Sequence, residues 1–429
     1  MSSRRKFIRH LGSAAILPFV PAVLNTDKTP DILPRILKYD QERGRAAAND
    51  EDFWRLVQEA YTASPNIINL NNGGVSPQSR SVQEAQGLYS RESNEGPAYY
   101  MWRIVDKGRL TVKRKLAEMA GASPEEIAIQ RNTTEALENL IFGFDLKAGD
   151  EILTSSQDYP SMQNALNQRA RREGIQIKRV SIPVPLDDEE ELVKRFEKSI
   201  SAKTRMILLC HMINLTGQIL PVRAVCRLGR KHGIPVIVDG AHSFAHFPFT
   251  MDDLECDYFG TSLHKWLCAP FGTGMLYIRK EKIKTVWPLM AAPDGEEEKI
   301  EKFEHLGTRS FPAEMAIGHA IDFHRGIGAE RKTARLRYLS DYWVSRVKGL
   351  KGIRFNTSFR EGAYGAIVNF AIDGMTAAEV QKELFRDYRI YTVAIDHEEV
   401  KGVRVSPHIY STLNDLDTLV TAIRRMITR

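Results

Sequence analysis

Three short polar segments could do chemistry, because each follows a run of residues that has the character of a strand. They are Asn-Thr-Thr-Glu at 132–135, Asp-Gly-Ala-His at 239–242 and Thr-Ser-Leu-His-Lys-Trp at 261–266. Ligands of open α/β sheets bind beyond the carboxyl ends of the strands, which is where such segments would meet. We therefore expect the three segments to contribute to one site.

The first segment has the composition of an anion site. A helix N-terminus offers unpaired backbone N–H groups and the positive end of the helix dipole, and Thr133 and Thr134 add two hydroxyls. The same segment also fits an ordinary helix cap, because Asn or Thr followed by Glu is typical of a capping box. On its own, the segment leaves both interpretations open.

The other two segments supply a carboxylate and an amine. Asp239 ends an apolar run, and an isolated buried carboxylate is costly unless it is paired or bound to a ligand. Lys265 lies among Leu263, Trp266 and Leu267. It is therefore either a desolvated amine that can act as a nucleophile, or a surface lysine whose stem covers apolar neighbours.

Taken together, these groups are the parts needed to hold pyridoxal 5′-phosphate (PLP). A lysine forms its Schiff base, a carboxylate keeps the pyridine nitrogen protonated, and hydroxyls bind the phosphate. With these motifs in this order, the sequence from about Ile68 to the C-terminus resembles the class V aminotransferase group of fold-type I PLP enzymes. Within that group, Tyr159 at the stacking position, Asp-Gly-Ala-His at 239–242 and Leu-Gly-Thr-Arg at 306–309 resemble the isopenicillin N epimerase-like branch more than the cysteine desulfurases.

The resemblance implies a role for each matching residue. Lys265 corresponds to the Schiff-base lysine, Asp239 to the partner of the pyridinium nitrogen, and Tyr159 to the ring that stacks on the cofactor. Arg404 corresponds to the arginine that binds the substrate α-carboxylate. Thr308 lies in a segment that reaches the phosphate of the other subunit, which implies a homodimer with a shared active site. The implied cofactor-binding residues are Thr133, Thr134, Asn214, Asp239, His242, Ser262, His264, Lys265 and Thr308.

The resemblance leaves the reaction open. Cysteine desulfurases carry a catalytic cysteine on a small-domain loop, whereas this chain has no cysteine after Cys268. We expect Cα deprotonation of an amino acid, followed by epimerisation or by β-elimination with C–S lysis. Class V transamination is an alternative, and so is a non-catalytic exported binding protein that keeps the fold. A dinucleotide enzyme is not expected, because no Gly-x-Gly-x-x-Gly turn follows an early strand.

The elements that must position these residues follow an α/β pattern. Short β-rich runs alternate with amphipathic helical runs, which is typical of parallel strands joined by crossover helices. Several runs are continuously apolar, as in a sheet that is covered on both faces. The predicted strands are 126–130, 151–154, 175–182, 204–210, 235–239, 257–260 and 274–278. The predicted helices between them are 134–143, 161–173, 187–199 and 221–232.

The fold class that this pattern and the resemblance imply is the PLP-dependent transferase fold of type I. A large domain over 70–320 would hold a mostly parallel seven-stranded sheet, and 321–429 would form a smaller α+β C-terminal domain. In the C-terminal part we predict a long helix over 313–348 and strands at 366–370 and 403–405. Residues 25–69 are predicted to be a linker with a helix that joins the small domain. Core packing is expected for Met101 and Trp102, with lining of the substrate pocket as the alternative.

The basic excess of the chain lies largely in its first residues. The 429 residues include 60 Lys and Arg against 54 Asp and Glu, and four of the basic ones precede the first acidic residue, Asp27. Because the rest is almost balanced, no nucleic-acid partner is expected. The sequence Ser-Arg-Arg-Lys-Phe-Ile-Arg at 3–9, followed by an apolar stretch at 11–24, resembles a twin-arginine export signal.

The expected cellular location follows from this N-terminal leader. A basic amphipathic helix is the alternative interpretation. The apolar stretch is short and contains Pro18 and Pro21, so a permanent membrane span is not expected. We predict a signal at 1–24, a partnership with the twin-arginine (Tat) export machinery, and a periplasmic or extracytoplasmic location.

The cysteines do not point to a metal. Cys210, Cys226, Cys256 and Cys268 lack paired metal-ligand spacing. We expect them to be buried as small hydrophobic residues rather than to bind zinc or form disulfides.

Overall fold

The computed structural model describes residues 32–44 and 46–428, so the predicted signal lies outside the described residues. The strands are β1 Ile68–Asn69, β2 Ile127–Gln130, β3 Glu151–Ser155, β4 Gln176–Val180, β5 Thr204–Cys210, β6 Val236–Asp239, β7 Tyr258–Ser262, β8 Gly274–Ile278, β9 Ile353–Phe355, β10 Val368–Ile372, β11 Ile390–Tyr391, β12 Val393–Asp396 and β13 Lys401–Val405. The helices are α1 Ile32–Arg43, α2 Glu51–Gln58, α3 Arg80–Glu95, α4 Pro97–Tyr99, α5 Asp106–Ala120, α6 Thr133–Gly143, α7 Pro160–Glu173, α8 Glu189–Ser199, α9 Val222–Lys231, α10 Met251–Leu254, α11 Phe311–Ile327, α12 Ala329–Val347, α13 Ala377–Tyr388 and α14 Leu413–Ile427.

The large sheet positions most of the predicted site. Its seven strands have the order β2-β8-β7-β6-β5-β3-β4. The pairs from β7 to β4 are parallel, whereas β8 runs antiparallel to both of its neighbours. Every residue of β6 and β7 is buried, because helices cover both faces of the sheet. The prediction of a mostly parallel seven-stranded sheet is confirmed.

A smaller C-terminal domain holds an antiparallel sheet. Its strands have the order β12-β13-β10-β9, and helices α12, α13 and α14 pack against this part of the chain. The N-terminal segment joins it, because β1 pairs in parallel with β11. Ion pairs from α12 to the first two helices, Arg331 with Asp40 and Arg335 with Glu51, hold the same segment.

The long helix predicted over 313–348 is wrong, because the chain breaks there into α11 and α12. Gly328, between them, has φ +92°, and a continuous right-handed helix cannot contain a positive φ. The two helices then serve different domains. α11 packs on α3 and α5 beside the large sheet, whereas α12 packs on α14 of the small domain.

The expectation of core packing is wrong for Trp102. The segment Tyr100–Val105 is a π-helical turn, and Trp102 is 51% exposed on it. The expected burial of the cysteines is confirmed, since all four are buried as free thiols. Within 32–44 and 46–428, no helix is both long enough and apolar enough to span a bilayer.

Candidate active site

Side chains from both domains line one cavity of about 240 Å³ at the carboxyl ends of β6 and β7. Gly73 and Gly74 also line it, and the sequence analysis did not predict them. The predicted site residues that line the cavity are Thr133, Thr134, Tyr159, Asp239, His242, Ser262, His264, Lys265 and Arg404. The structure therefore brings together residues that lie up to 271 positions apart in the sequence, from Thr133 to Arg404.

Lys265 lies in the turn after β7 and is half-buried beside the cavity. Burial lowers the pKa of its amine to about 8, and Asp239 opposes this shift only in part. A substantial fraction of the amine is therefore neutral near physiological pH, which a nucleophile or a base requires. The Nζ atom lies 5.6 Å from the centroid of the Tyr159 ring.

Asp239 is the last residue of β6 and is buried. Burial raises the pKa of its carboxyl to about 6, although the N–H of Ala241 donates to Oδ1 at 2.9 Å. The turn that follows needs glycine, because a Cβ on Gly240 would lie 1.8 Å from the Phe259 ring. A buried carboxylate of this kind is suited to pair with a cationic ligand group, which would stabilise its charged form.

His242 has a defined tautomer. Trp266 Nε1 donates to His242 Nδ1 at 3.4 Å, and an indole N–H can only donate. Because burial lowers the pKa of His242 well below its usual value, the ring is neutral and its proton lies on Nε2. That nitrogen lies 3.4 Å from Lys265 Nζ, so His242 presents a donor to the cavity.

The start of α6 is both a capped helix end and a wall of the cavity, so the two interpretations of the 132–135 segment do not exclude each other. Asn132 is the cap, since its side chain accepts from Glu135 N at 2.9 Å. This leaves the threonines to face the cavity, where the hydroxyls of Thr133 and Ser262 lie 2.7 Å apart. His264 Nδ1 donates to the Thr273 carbonyl at 2.9 Å, so its Nε2 is the nitrogen that remains for a ligand.

Arg404 approaches the cavity from β13 of the small domain. Its Nη1 donates to the Asn214 carbonyl at 3.1 Å and its Nη2 to Asn71 Oδ1 at 2.8 Å. Its Nε is buried without a hydrogen-bond partner in the described chain, as is Asn214 Oδ1. Burial lowers the pKa of Arg404 to about 10, so it stays charged. A guanidinium that is buried without a carboxylate partner is suited to bind the carboxylate of a ligand.

Two predicted residues do not line the cavity. Asn214 reaches it only through its contact with Arg404, and Thr308 is exposed on the loop before α11. The sequence analysis missed Asn71. Asn-Asn-Gly-Gly at 71–74 directly follows the predicted start of the large domain at residue 70, and its composition is typical of a turn. A Cβ on Gly73 would lie 3.4 Å from Ser406 Oγ and 3.5 Å from His242 Cε1, which are ordinary van der Waals contacts and place Gly73 directly beside the site.

The residues present fit PLP. A lysine amine with a lowered pKa, a buried carboxylate and a hydroxyl pair at a helix N-terminus share the cavity, and they match the aldehyde, the ring nitrogen and the phosphate of the cofactor. The unpartnered Nε of Arg404 leaves a donor for a substrate carboxylate. The aldehyde, the ring nitrogen and the phosphate of the cofactor thus each have a complementary group in this chain.

Comparison with known proteins gives the same result. The family model of class V aminotransferases matches residues 68–419. An isopenicillin N epimerase of Amycolatopsis lactamdurans is 30% identical over 393 residues, which cover 87% of this chain and 98% of the relative. A probable cysteine desulfurase of Synechocystis sp. is 26% identical over 417 residues, which cover 89% and 96%. The cystine C–S lyase C-DES, solved with its reaction product cysteine persulfide, has a TM-score of 0.74 at 22% identity and covers 83% of this chain and 97% of its own.

The family match includes all of the residues that line the cavity and every strand from β1 to β13. PLP is the cofactor of this family, and the seven-stranded sheet with a smaller antiparallel domain is the fold of the solved relatives. The chain therefore belongs to the class V aminotransferase family of PLP-dependent enzymes.

Proposed function

We propose that this enzyme removes the Cα proton of an amino acid and returns a proton to the opposite face, as an epimerase or racemase. The observation that carries the proposal is that the Lys265 amine, with its lowered pKa, shares one cavity with Asp239 and the buried Arg404. The 30% identity with an isopenicillin N epimerase over nearly the whole of that relative supports this branch.

Each step is assigned to a group of this chain. When bound, PLP withdraws electrons from the substrate Cα and makes its proton acidic. Arg404 binds the α-carboxylate, Asp239 keeps the ring nitrogen protonated, and the neutral amine of Lys265 accepts the Cα proton. Tyr159 supplies the phenol that returns a proton, since its ring and Lys265 Nζ both face the cavity at a separation of 5.6 Å.

The experiment that tests this function follows the Cα atom directly. The purified holoenzyme is incubated with a panel of amino acids in heavy water, and deuterium at Cα, optical purity, keto acid and sulfide are measured together. For the true substrate class we expect Cα deuterium and loss of optical purity, without keto acid or sulfide. Absence of Cα exchange with every amino acid tested would refute the proposal.

C–S lysis by β-elimination is a second candidate. It needs one base and no second acid, so it would suit the site if Tyr159, which is 40% exposed, takes no part in proton transfer. Likeness to the fold of C-DES is compatible with it. In the same assay, keto acid with sulfide would indicate this lyase reaction, and keto acid without sulfide would indicate transamination.

Removal of Arg404, which is proposed to bind the substrate α-carboxylate, should weaken substrate binding more than it slows the reaction. We expect Arg404→Gln to raise KM by about 100-fold, because a charge-assisted bidentate contact is lost from a desolvated site. The amide of the same amino acid, which lacks the carboxylate, should be an equally poor substrate for the wild type and for the variant. A KM that is unchanged in Arg404→Gln would show that another group binds the carboxylate.

The lowered pKa of Lys265 predicts how the apoenzyme takes up its cofactor. Only the neutral amine attacks an aldehyde, so the rate of covalent PLP attachment should rise about tenfold per pH unit below pH 8 and level off above it. Stopped-flow absorbance measures this rate, with Nα-acetyl-lysine as the reference, whose rate should rise to about pH 10. A protein profile that follows the reference would contradict the environment assigned to Lys265.

We also propose a homodimer whose partner completes the phosphate end of the site. Beside Thr134 lies a second cavity of about 360 Å³ lined by Leu289, Met290 and Leu306, and Thr308 is exposed two residues further on. Trp287, on the same segment, is 73% exposed, and exposed apolar side chains of this kind favour contact with another chain. Sedimentation of the holoenzyme should show a dimer that Trp287→Glu dissociates. An active monomeric wild type would contradict this proposal.

For the leader, we propose export by the twin-arginine route to the periplasm or another extracytoplasmic space. The proposal is supported by Arg4 and Arg5 and the apolar stretch that follows them. Cell fractionation of the full-length chain, compared with a variant carrying both Arg4→Lys and Arg5→Lys, tests it. Equal export of the two forms would exclude the route.

A further inference from the structure

The turn between β12 and β13 connects the small domain to the loop that carries Tyr159. Backbone hydrogen bonds of 2.9 and 3.2 Å between His397 and Val400 close this turn. At its tip, Glu399 Oε2 accepts hydrogen bonds from Ser156 Oγ at 2.7 Å and from Gln157 Nε2 at 2.9 Å. The acidic tip of a small-domain turn is thus bonded to the loop that directly follows β3.

His397 adds a bond from the other side of the turn. Its Nδ1 accepts from Glu399 N at 3.2 Å, so its proton lies on Nε2, which donates to the Ser156 carbonyl at 3.1 Å. Partial burial opposes the charge of Glu399, but hydrogen bonds from Gln157, Ser156 and Ser181, with a smaller contribution from His397, outweigh it and lower the pKa of this carboxyl. The contact is therefore made by an ionised carboxylate, and its hydrogen bonds belong to the stronger class.

The same hairpin carries Arg404. β13 starts at Lys401, immediately after the turn, and includes Arg404. Arg404 and Tyr159 line the same cavity. One hairpin therefore contacts both sides of the site, through Arg404 where the substrate carboxylate binds and through Glu399 where the Tyr159 loop lies.

We propose that Glu399 is a positioning residue that fixes Tyr159 relative to Arg404 by tying the 155–159 loop to the β12–β13 hairpin. The proposal rests on the proposed function, in which Arg404 binds the carboxylate and Tyr159 returns the proton. Asp158 holds the same loop from the sheet, since it accepts from Thr154 Oγ1 at 2.6 Å and from Cys210 N at 3.0 Å. Loss of Glu399 should therefore loosen the loop at Ser156 and Gln157 and let Tyr159 shift, while Asp158 keeps the loop attached to the sheet.

Three variants of the holoenzyme test this role. Glu399→Ala removes both acceptor bonds, whereas Glu399→Gln keeps an acceptor oxygen of the same length. Glu398→Ala is the matched control, because Glu398 is an exposed neighbour in the same turn, and no bond joins it to the loop in the described chain. The readouts are hydrogen exchange of the 155–159 amides, the circular dichroism that the protein induces in bound PLP, and kcat and KM separately.

For Glu399→Ala we expect about tenfold faster amide exchange in this loop, a changed induced dichroism, and a kcat about tenfold lower with KM nearly unchanged. Glu399→Gln should recover most of these losses, and Glu398→Ala should match the wild type. Exchange and dichroism do not depend on turnover. If the wild type did not epimerise, an increase in exchange for Glu399→Ala alone would still support the tie while the proposed function failed. Identical exchange and dichroism in Glu399→Ala and Glu398→Ala would overturn the role of Glu399, whichever reaction the enzyme catalyses.

Discussion

Replacement of Lys265 by alanine is expected to lower turnover by about 10,000-fold, the upper range for loss of a positioned acid–base group. The variant loses both the amine that attaches the cofactor and the base that accepts the Cα proton. Purified Lys265→Ala should therefore lack the visible absorbance of lysine-bound PLP and should show no Cα deuterium exchange. Exchange at the wild-type rate would contradict the assignment.

Chemical rescue separates this effect from a folding defect. A small amine such as methylamine can enter the cavity and replace the missing amine as a base, so part of the exchange rate should return with added amine. The free energy of unfolding of the apoenzyme should not fall, because burial of the Lys265 amine lowers its pKa to about 8 and so opposes folding at neutral pH. A variant that stays inactive at every amine concentration and unfolds at lower denaturant would indicate a structural role.

Asp239→Asn should give the second largest effect, a fall in kcat of about 100- to 1,000-fold. The amide keeps the size of the side chain and can still accept from Ala241 N, but it cannot hold a proton on the ring nitrogen of the cofactor. Covalent attachment of PLP should persist, because Lys265 is intact. Steady-state kinetics and the visible spectrum together check this result.

The stability of Asp239→Asn provides an independent check. Burial raises the folded-state pKa of Asp239 to about 6, so its charge opposes folding of the apoenzyme above the unfolded pKa, and this destabilisation is fully present above pH 6. The variant apoenzyme should therefore be at least as stable as the wild type at neutral pH, by thermal unfolding. Asp257→Asn, which breaks a surface ion pair with Arg279, is the control and should leave kcat unchanged. Loss of PLP from Asp239→Asn, rather than loss of rate, would contradict the assigned role.

Residues with a local signal could be predicted from the sequence. Asp239 is the last residue of an apolar strand, and Lys265 follows the next strand along the chain. Thr133 and Thr134 begin a helix directly after an earlier strand. The strand pattern was therefore sufficient to bring these residues to one edge of the sheet. The large sheet was predictable for the same reason, since its strands are short apolar runs separated by amphipathic helices.

Features that depend on contacts between distant segments could not be predicted. Glu399 and Ser156 lie 243 residues apart, and an acidic pair in a turn has the same composition whether it is solvated or bonded to another loop. Asn71 and Arg404 are separated by 333 residues. Which segments meet is decided by the packing of the two domains, and the sequence pattern of either segment does not contain that information.

Two errors have local causes that composition does not reveal. The helical periodicity continues across Gly328, and only the positive φ of that residue shows the break. The apolar character of Trp102 does not distinguish a core position from an exposed one, although the side chain is 51% exposed. The pattern did not show the backbone conformation of Gly328, and the residue type did not show the surroundings of Trp102.

The most direct measurement of the central claim is the identification of the lysine that carries the cofactor. The holoenzyme is reduced with borohydride and digested, and the peptides that carry the pyridoxyl group are identified by mass spectrometry. Lys332 is a stringent internal comparison, because it is also buried and its pKa is also lowered to about 8, but its amine donates to the Trp266 carbonyl. We predict the label on Lys265 alone. A label on Lys332 or on any other lysine, or no label at all, would contradict the account.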